Sequence, residues 1–239
     1  MKTLTRWTSP PDRCGYLPDR LARTEYLSVL RLEPEEYQAH LLAGWRRFGR
    51  TLFRARCRGC SACRSLRVDS ARFQPDRSQR RCRKANEGSV RLRIGRPAAT
   101  PEKLALYDKF HAGRSITRGW PEHDGGDLPE YVRSFVDNPF PTQEWRYELD
   151  DTLVGVGYVD ELPVGLSAIY FAHDPDHAGR SLGTWNVLCL LERASALGLP
   201  HVYLGYHVEG CPSLRYKARF RPCQYLDLDG TWRDGPPPS

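Results

Sequence analysis

The chain has 239 residues, 40% hydrophobic, 27% charged and 11% aromatic, with 36 Lys or Arg against 29 Asp or Glu and a formal charge of +7. That length allows one large domain or two small ones, and a core that needs no disulfide staples. With 6 Trp, 12 Tyr and 8 Phe, and no apolar run near the ~20 residues of a membrane span, the composition excludes a disordered chain, an integral membrane protein, a secreted miniprotein and a fibrous repeat. The stretch Met1–Trp7 lacks the apolar run of a signal peptide, so the expected compartment is the cytoplasm, with no membrane partner.

Taken in chain order, Pro34 to Ala43 predicts a helix, with Pro at the first helical position, acids in the first turn and Gly44 as the stop. Trp45 to Phe53 reads as turn and strand, Leu66 to Val68 as strand, and Gln79 to Lys84 as a short basic helix. Val90 to Ile94 alternates apolar and basic residues, as a half-exposed strand does. Gly95 to Pro101 is the best linker, which divides the chain into 1–95 and 96–239. Thr100-Pro101 opens a helix, and Glu130 to Asp137 forms another, after a polar Gly-rich loop over Pro121 to Leu128. Strands follow at Leu153 to Val159, with Val154, Val156 and Tyr158 on one face, and at Leu166 to Phe171. Val187, Leu190, Leu191, Ala194 and Leu197 recur at helical spacing, with Gly198 and Pro200 as stops. His201 to Tyr206 is a strand, Pro212 to Ala218 is helix-prone and Cys223 to Leu228 is a last strand, before a frayed tail over Gly235 to Ser239. Strand, strand, helix, strand argues for a mixed sheet with helices on its faces, an α+β chain.

Charge is uneven along the chain. Arg54 to Arg93 holds ten more basic than acidic residues, which leaves the remainder slightly acidic. Such a patch is the footprint of a polyanion, or else a solvated basic surface. Within it, Cys57-Arg-Gly-Cys60-Ser-Ala-Cys63 spaces three thiols to converge on one ion, with Cys14 as a fourth. Zinc and an iron–sulfur cluster both accept four cysteines; free thiols in a tight loop are the alternative. Cys189 and Cys223 read as small core residues.

Arg180-Ser181-Leu-Gly183-Thr184 opens a helix directly after a strand and short loop. Free N–H groups, a glycine for close approach, two hydroxyls and a cation make an anion cradle there, or an ordinary capped helix. Asp174, in Asp174-Pro-Asp176 at the end of a strand, is a candidate proton acceptor or an Asp-Pro turn. Arg77-Ser-Gln79-Arg80 could hold a carboxylate or phosphate. Gly205 beside Tyr206 marks a close approach of ligand or backbone. No Walker loop, dinucleotide fingerprint, G-x-S-x-G or H-E-x-x-H is present, which argues against self-contained ATP or NAD chemistry.

Seven motifs in order carry a family resemblance: Cys14-Gly-Tyr-Leu-Pro; Cys57-x-x-Cys60-x-x-Cys63; Phe73-x-Pro-x-Arg77-Ser-Gln79-Arg80; Asp174-Pro-Asp; Arg180-Ser-Leu-Gly-Thr184; Leu197-Gly-Leu-Pro-His-Val-Tyr-Leu-Gly-Tyr206; and Cys211-Pro-Ser-Leu-Arg215-Tyr-Lys217-Ala-Arg-Phe-x-Pro222. From about residue 13 to 232 the chain resembles the bacterial aminoacyl-tRNA–protein transferases, the leucyltransferase branch related to eukaryotic arginyl-tRNA–protein transferase. Leu17 stands where the eukaryotic branch has a second Cys. The resemblance implies a smaller cysteine-containing α/β N-terminal domain and a C-terminal GNAT-like acyltransferase domain with a mixed sheet. It implies transfer of leucine, or arginine as runner-up, from charged tRNA to proteins with N-terminal Asp or Glu, marking them for degradation. No cofactor is required for that chemistry. The resemblance assigns Arg180, Ser181, Gly183, Thr184 and Tyr206 to the tRNA 3′ end and acyl slot. Asp174 is the candidate for orienting or deprotonating the amine; selection of N-terminal Asp or Glu calls for a cation, for which Arg77, Arg80, Arg215 and Lys217 are the candidates, with Gln79 beside the first two in the acceptor-binding set. A coenzyme A-dependent N-acetyltransferase and a non-catalytic RNA-binding protein are the rival expectations.

Overall fold

A computed structural model describes residues 1–118 and 124–237. The predicted loop over Pro121 to Leu128 and the tail therefore lie partly outside the described residues. In chain order the strands and helices are β1 (Lys2–Thr8), β2 (Asp12–Arg13), β3 (Leu21–Ala22), β4 (Thr24–Arg31), α1 (Pro34–Leu42), β5 (Arg46–Phe48), β6 (Thr51–Ala55), β7 (Arg64–Asp69), α2 (Arg77–Asn86) and β8 (Val90–Gly95). There follow α3 (Pro101–Arg118), α4 (Leu128–Tyr131), β9 (Thr142–Leu149), β10 (Thr152–Leu162), β11 (Gly165–His173), α5 (Leu182–Ala196), β12 (His201–His207), α6 (Pro212–Arg215), β13 (Cys223–Leu226) and β14 (Trp232–Asp234).

α1 and α3 begin where their caps predicted. Pro34 opens α1 behind a Glu33–Glu36 capping box. Asp76 caps α2 by accepting from the Gln79 backbone N–H, and the Gln79 side chain reaches back to the cap, so α2 starts two residues earlier than its charge pattern suggests. The stretch Glu130 to Asp137 is a short helix that widens into one π turn, Val132–Val136. No helix is long and apolar enough to cross a membrane among the described residues.

Eight strands form one mixed sheet in the order β14, β13, β7, β12, β11, β10, β9, β8, in which β11 and β12 are the parallel pair. Four more form a second sheet, β1, β4, β6, β5. The division at 95/96 does not coincide with a sheet boundary. β7, from the early segment, lies between β12 and β13, and β8 pairs with β9. Leu66 and Val68 of β7 share a core with Leu188, Leu190 and Leu191 of α5.

One face of the large sheet carries α5 and α2. The other carries α3 and α4, through Leu106, Phe110 and Tyr131, and beside them the small sheet and α1. Val154 falls in the first core, and Val156 and Tyr158 in the opposite one, so the three do not share a face. A register shift between Leu153 and Gly155 reverses the alternation.

A buried ion pair fastens the small sheet to the large one. Arg47 of β5 donates Nε and Nη2 to the two Asp160 oxygens at 2.8 Å, and both side chains are fully buried. Tyr37 and Thr142 donate to the same carboxylate, each at 2.7 Å. Arg47 also reaches the Gly49 carbonyl and Asn138, so every lone pair and proton of the pair has a partner.

His201, at the start of β12, has its pKa pushed down to about 4, first by burial and then by the Arg67 charge. The unfolded chain binds a proton near pH 6.5 that the native chain refuses, so His201 lowers stability as pH falls between about 6.5 and about 4. Urea midpoints measured across that range are expected to fall less for His201→Gln than for the parent; parallel curves would refute this.

Candidate functional site

β11 and β12 pair only at Leu166–Val202 and Ser167–Tyr203, and then separate. Each strand carries a bulge just beyond the last pair. Ile169 is the extra residue of β11 against β10, and Leu204 is the extra residue of β12 against β7. Gly205 follows at φ +80°, a conformation open to glycine. A bulge re-aims the strand and leaves backbone groups unpaired, so two bulges side by side open a wedge in the middle of the sheet. A parallel pair with a gap between its downstream ends is a place where a ligand can lie against backbone N–H and C=O groups.

At the downstream end of β11, Asp174 begins a 3₁₀ turn, Pro175–Arg180, by accepting from the Asp176 N–H at 2.9 Å. Its carboxylate also meets Lys109 Nζ of α3 at 2.7 Å. Partial burial would raise the Asp174 pKa, but the Lys109 hydrogen bond and charge outweigh it and hold the carboxyl below its ordinary value. This carboxylate fixes a turn and an ion pair.

Ser181 then adopts the left-handed conformation, φ 52° and ψ 47°, and its exposed side chain makes no capping bond. A Cβ at Gly183 would meet nothing within 4 Å, so the start of α5 faces open space. The N–H groups of Leu182 and Gly183 precede the first bonds back to the Ser181 carbonyl, which come from Thr184 and Trp185. Arg180 is engaged elsewhere. Its Nη1 donates to the Ala85 carbonyl at 2.7 Å and to Ser89 Oγ at 3.1 Å at the end of α2. Asn86 donates back to the Arg180 carbonyl at 2.8 Å, and the Cys82 thiol lies 3.6 Å from the same oxygen. The α2 end thus holds the turn, and Arg180 is a strut as well as a charge.

The acceptor-side residues scatter. Gln79 is buried and committed to the α2 cap and the Arg219 carbonyl. Arg77 is exposed and Arg80 bonds the Pro75 carbonyl, both at the start of α2, away from the end that holds Arg180. Arg215 is exposed on α6. Lys217 alone comes to the wedge, donating Nζ to the Tyr206 carbonyl at 3.1 Å. Tyr206 is buried, and its hydroxyl accepts from the Ala55 N–H at 3.1 Å. Sequence reasoning missed Arg46, whose guanidinium lies at the wedge beside Gly205. Two adjacent arginines between Trp45 and Phe48 were its signal, since strand alternation turns at least one of them inward, and both are buried.

The cysteines are neighbours. Burial pushes the Cys63 thiol up to about 12, helped by Cys57, Cys14, Cys60 and Cys211 nearby. Leu17, beside Cys14, packs against Gly210, which brings this loop to the end of β12. Cys57 Sγ accepts from the Arg23 N–H at 3.3 Å and Cys14 Sγ from the Tyr16 N–H at 3.5 Å. Among the described residues no group of three or more His, Cys, Asp or Glu side chains is placed to hold a metal ion. Cys189 and Cys223 are buried in the core.

Relatives carry the same architecture of sequence. A family described as "Arginine-tRNA-protein transferase, N terminus" matches residues 12–81, and its counterpart "Arginine-tRNA-protein transferase, C terminus" matches residues 102–227. A protein named aspartate/glutamate leucyltransferase from Halorhodospira halophila is 39% identical over 226 residues, 92% of each chain. One of the same name from Marinobacter nauticus is 37% identical, covering 98% of this chain and 97% of its own. Among solved structures, L-PGS from Bacillus licheniformis matches with TM-score 0.47 and 12% identity over 75% of this chain and 52% of that one. The two matched segments, in order, take in β7, both strands of the wedge and the uncapped start of α5, and the relatives match from end to end: the chain belongs to the arginine-tRNA–protein transferase family.

Proposed function

We propose that this protein is a cytoplasmic aminoacyltransferase that moves leucine from leucyl-tRNA to the N-terminal Asp or Glu of proteins, marking them for degradation. The observation that carries the reading is the wedge between β11 and β12 with the open start of α5 at its downstream end. In the GNAT arrangement that the resemblance implies, the acyl group lies between two such strands and the phosphates of its carrier sit on the helix start. The acyl carrier here is the 3′ end of tRNA, held by the Leu182 and Gly183 N–H groups and the Ser181 and Thr184 hydroxyls.

The reaction needs no ATP, because an aminoacyl ester is already activated. The acceptor amine attacks the ester carbonyl, a tetrahedral oxyanion forms, and the terminal tRNA hydroxyl leaves with a proton as the amide closes. An α-amine has a pKa of about 7.7–8.0, so a useful fraction is neutral near pH 7. Positioning and oxyanion stabilisation by backbone N–H groups freed at the bulges supply the rest. Asp174 acts by aiming the turn that carries Ser181, through its ion pair with Lys109.

The test is a transfer assay pairing leucyl- and arginyl-tRNA with peptides that begin Asp, Glu, Lys or Ala. Leucine transfer to the Asp and Glu peptides only is expected. Transfer of arginine alone would move the protein to the other branch. Acetyl transfer from acetyl-coenzyme A without tRNA would make it an N-acetyltransferase instead, and RNA binding without turnover would make it a non-catalytic binder.

A further inference from the structure

Two cations meet where β11 and β12 part, and among the described residues neither is ion-paired with an acid. Arg46 is 7% exposed and reaches from β5 to β11, where Nη2 donates to the Ala168 carbonyl and Nη1 lies 3.5 Å from Ser167 Oγ. Its guanidinium lies against Gly205 of β12; a Cβ there would stand 3.2 Å from Arg46 Nε. Lys217 approaches from the turn Tyr216–Arg219 and bonds the carbonyl of the next residue, Tyr206, at 3.1 Å. The two charges therefore share adjacent residues of one strand.

Among the described residues neither cation has a carboxylate within 4.0 Å. The acid near Arg46, Asp160, is bound by Arg47 through both oxygens. Other buried charges in the molecule are matched: Arg47 with Asp160, Lys103 with Glu144 at 2.7 Å, and Glu25 with Arg54 at 2.7 Å. Lys217 is pulled down to about 7 by desolvation, with the Arg46 charge adding to it. Arg46 is buried and Lys217 half-buried, so holding the two like charges together is costly, and the cost is offset when an anion arrives between them.

We propose that Arg46 and Lys217 form the receptor for the side-chain carboxylate of the acceptor's first residue, and that this pair restricts the acceptor to Asp and Glu. The inference rests on the aminoacyl-transfer reading and deepens it. The acid side chain, held at Gly205 and Tyr206, anchors the α-amine beside the bulged backbone where the ester lies. Arg46 offers a planar fork with its Nε–H free of any acceptor among the described residues, and Lys217 offers a second point charge. Gly205 leaves room for the guanidinium, because any side chain there would press on it. Both residues determine specificity and take no part in bond making.

The experiment compares peptides beginning Asp and Glu with their neutral isosteres Asn and Gln, using the full chain and saturating charged tRNA. Lys217→Met is expected to lower kcat/KM for the acidic peptides about 100-fold, through KM, and for the neutral ones by no more than about threefold, so the preference for acid collapses. Arg46→Gln is expected to do the same, and the double variant to abolish the preference. Equal losses on Asp and Asn peptides would overturn the proposal. A structural role is tested separately. If the cations are held for a ligand, Lys217→Met unfolds at the parent temperature or above; a clear drop in Tm with equal losses assigns Lys217 to the fold. Peptide binding without tRNA keeps the two readings apart. Retained Lys217-dependent binding of Asp peptides, with no transfer by the parent protein, would sink the transfer reading and leave the receptor standing.

Discussion

Asp160→Asn is expected to cost about 3–5 kcal/mol of folding stability, among the largest losses available to a single substitution here. The amide keeps the shape but leaves Arg47 charged and fully buried without its anion. Tyr37 and Thr142, which both donate to the same carboxylate, lose their charged acceptor at the same time. Urea unfolding measures the loss. The paired change Arg47→Met with Asp160→Leu is expected to regain part of it, since the stranded charge is gone while Tyr37 and Thr142 still lack their acceptor. A loss below about 1 kcal/mol for Asp160→Asn would mean that water reaches Arg47 and that the two sheets are joined less tightly than their geometry implies.

Gly183→Asp is expected to separate stability from activity. The site has room for a side chain, and glycine in a helix is unfavourable by about 0.5–1 kcal/mol. An acid in the first turn also interacts well with the helix dipole, by about 0.3–1 kcal/mol. The variant should therefore melt at or above the parent temperature. Yet it places a negative charge where the tRNA phosphates would bind, so transfer and charged-tRNA binding should fall about 100-fold. Thermal melts and the transfer assay on one preparation decide it; full activity would show that the start of α5 holds no anion.

What the sequence made legible was local. Caps and periodicity located α1, α3 and α5, and glycine-bounded apolar runs located β10, β11 and β12. β4 was not seen, because its buried face reads Glu25, Leu27, Val29. A buried acid breaks an apolar pattern, and Glu25 is tolerated only because Arg6, Arg54 and Arg56 come to it from neighbouring strands and the turn. β9 alternates Trp145, Tyr147 and Leu149 inward, but Pro139 and Pro141 just before it gave the region a loop's signature. At the site, the helix start was readable from Ser181 and Gly183. The engagement of Arg180 by α2 was not, nor was Arg46 at the wedge, since both depend on contacts more than 90 residues apart. Charge alone likewise grouped Arg77, Arg80, Arg215 and Lys217, and only packing separates the last from the rest.

The place of β7 between β12 and β13 has a consequence for biosynthesis. About 130 residues must be translated after Asp69 before either flanking strand exists, roughly ten seconds at ribosomal rates. Throughout that interval the nascent chain displays a short segment whose Leu66 and Val68 lack their core and whose two strand edges are unsatisfied, a target for wrong pairing and for holdase chaperones. Ribosomes stalled before the codon for His201 should therefore carry a protease-sensitive amino-terminal half, and maturation should be late and all at once rather than segment by segment.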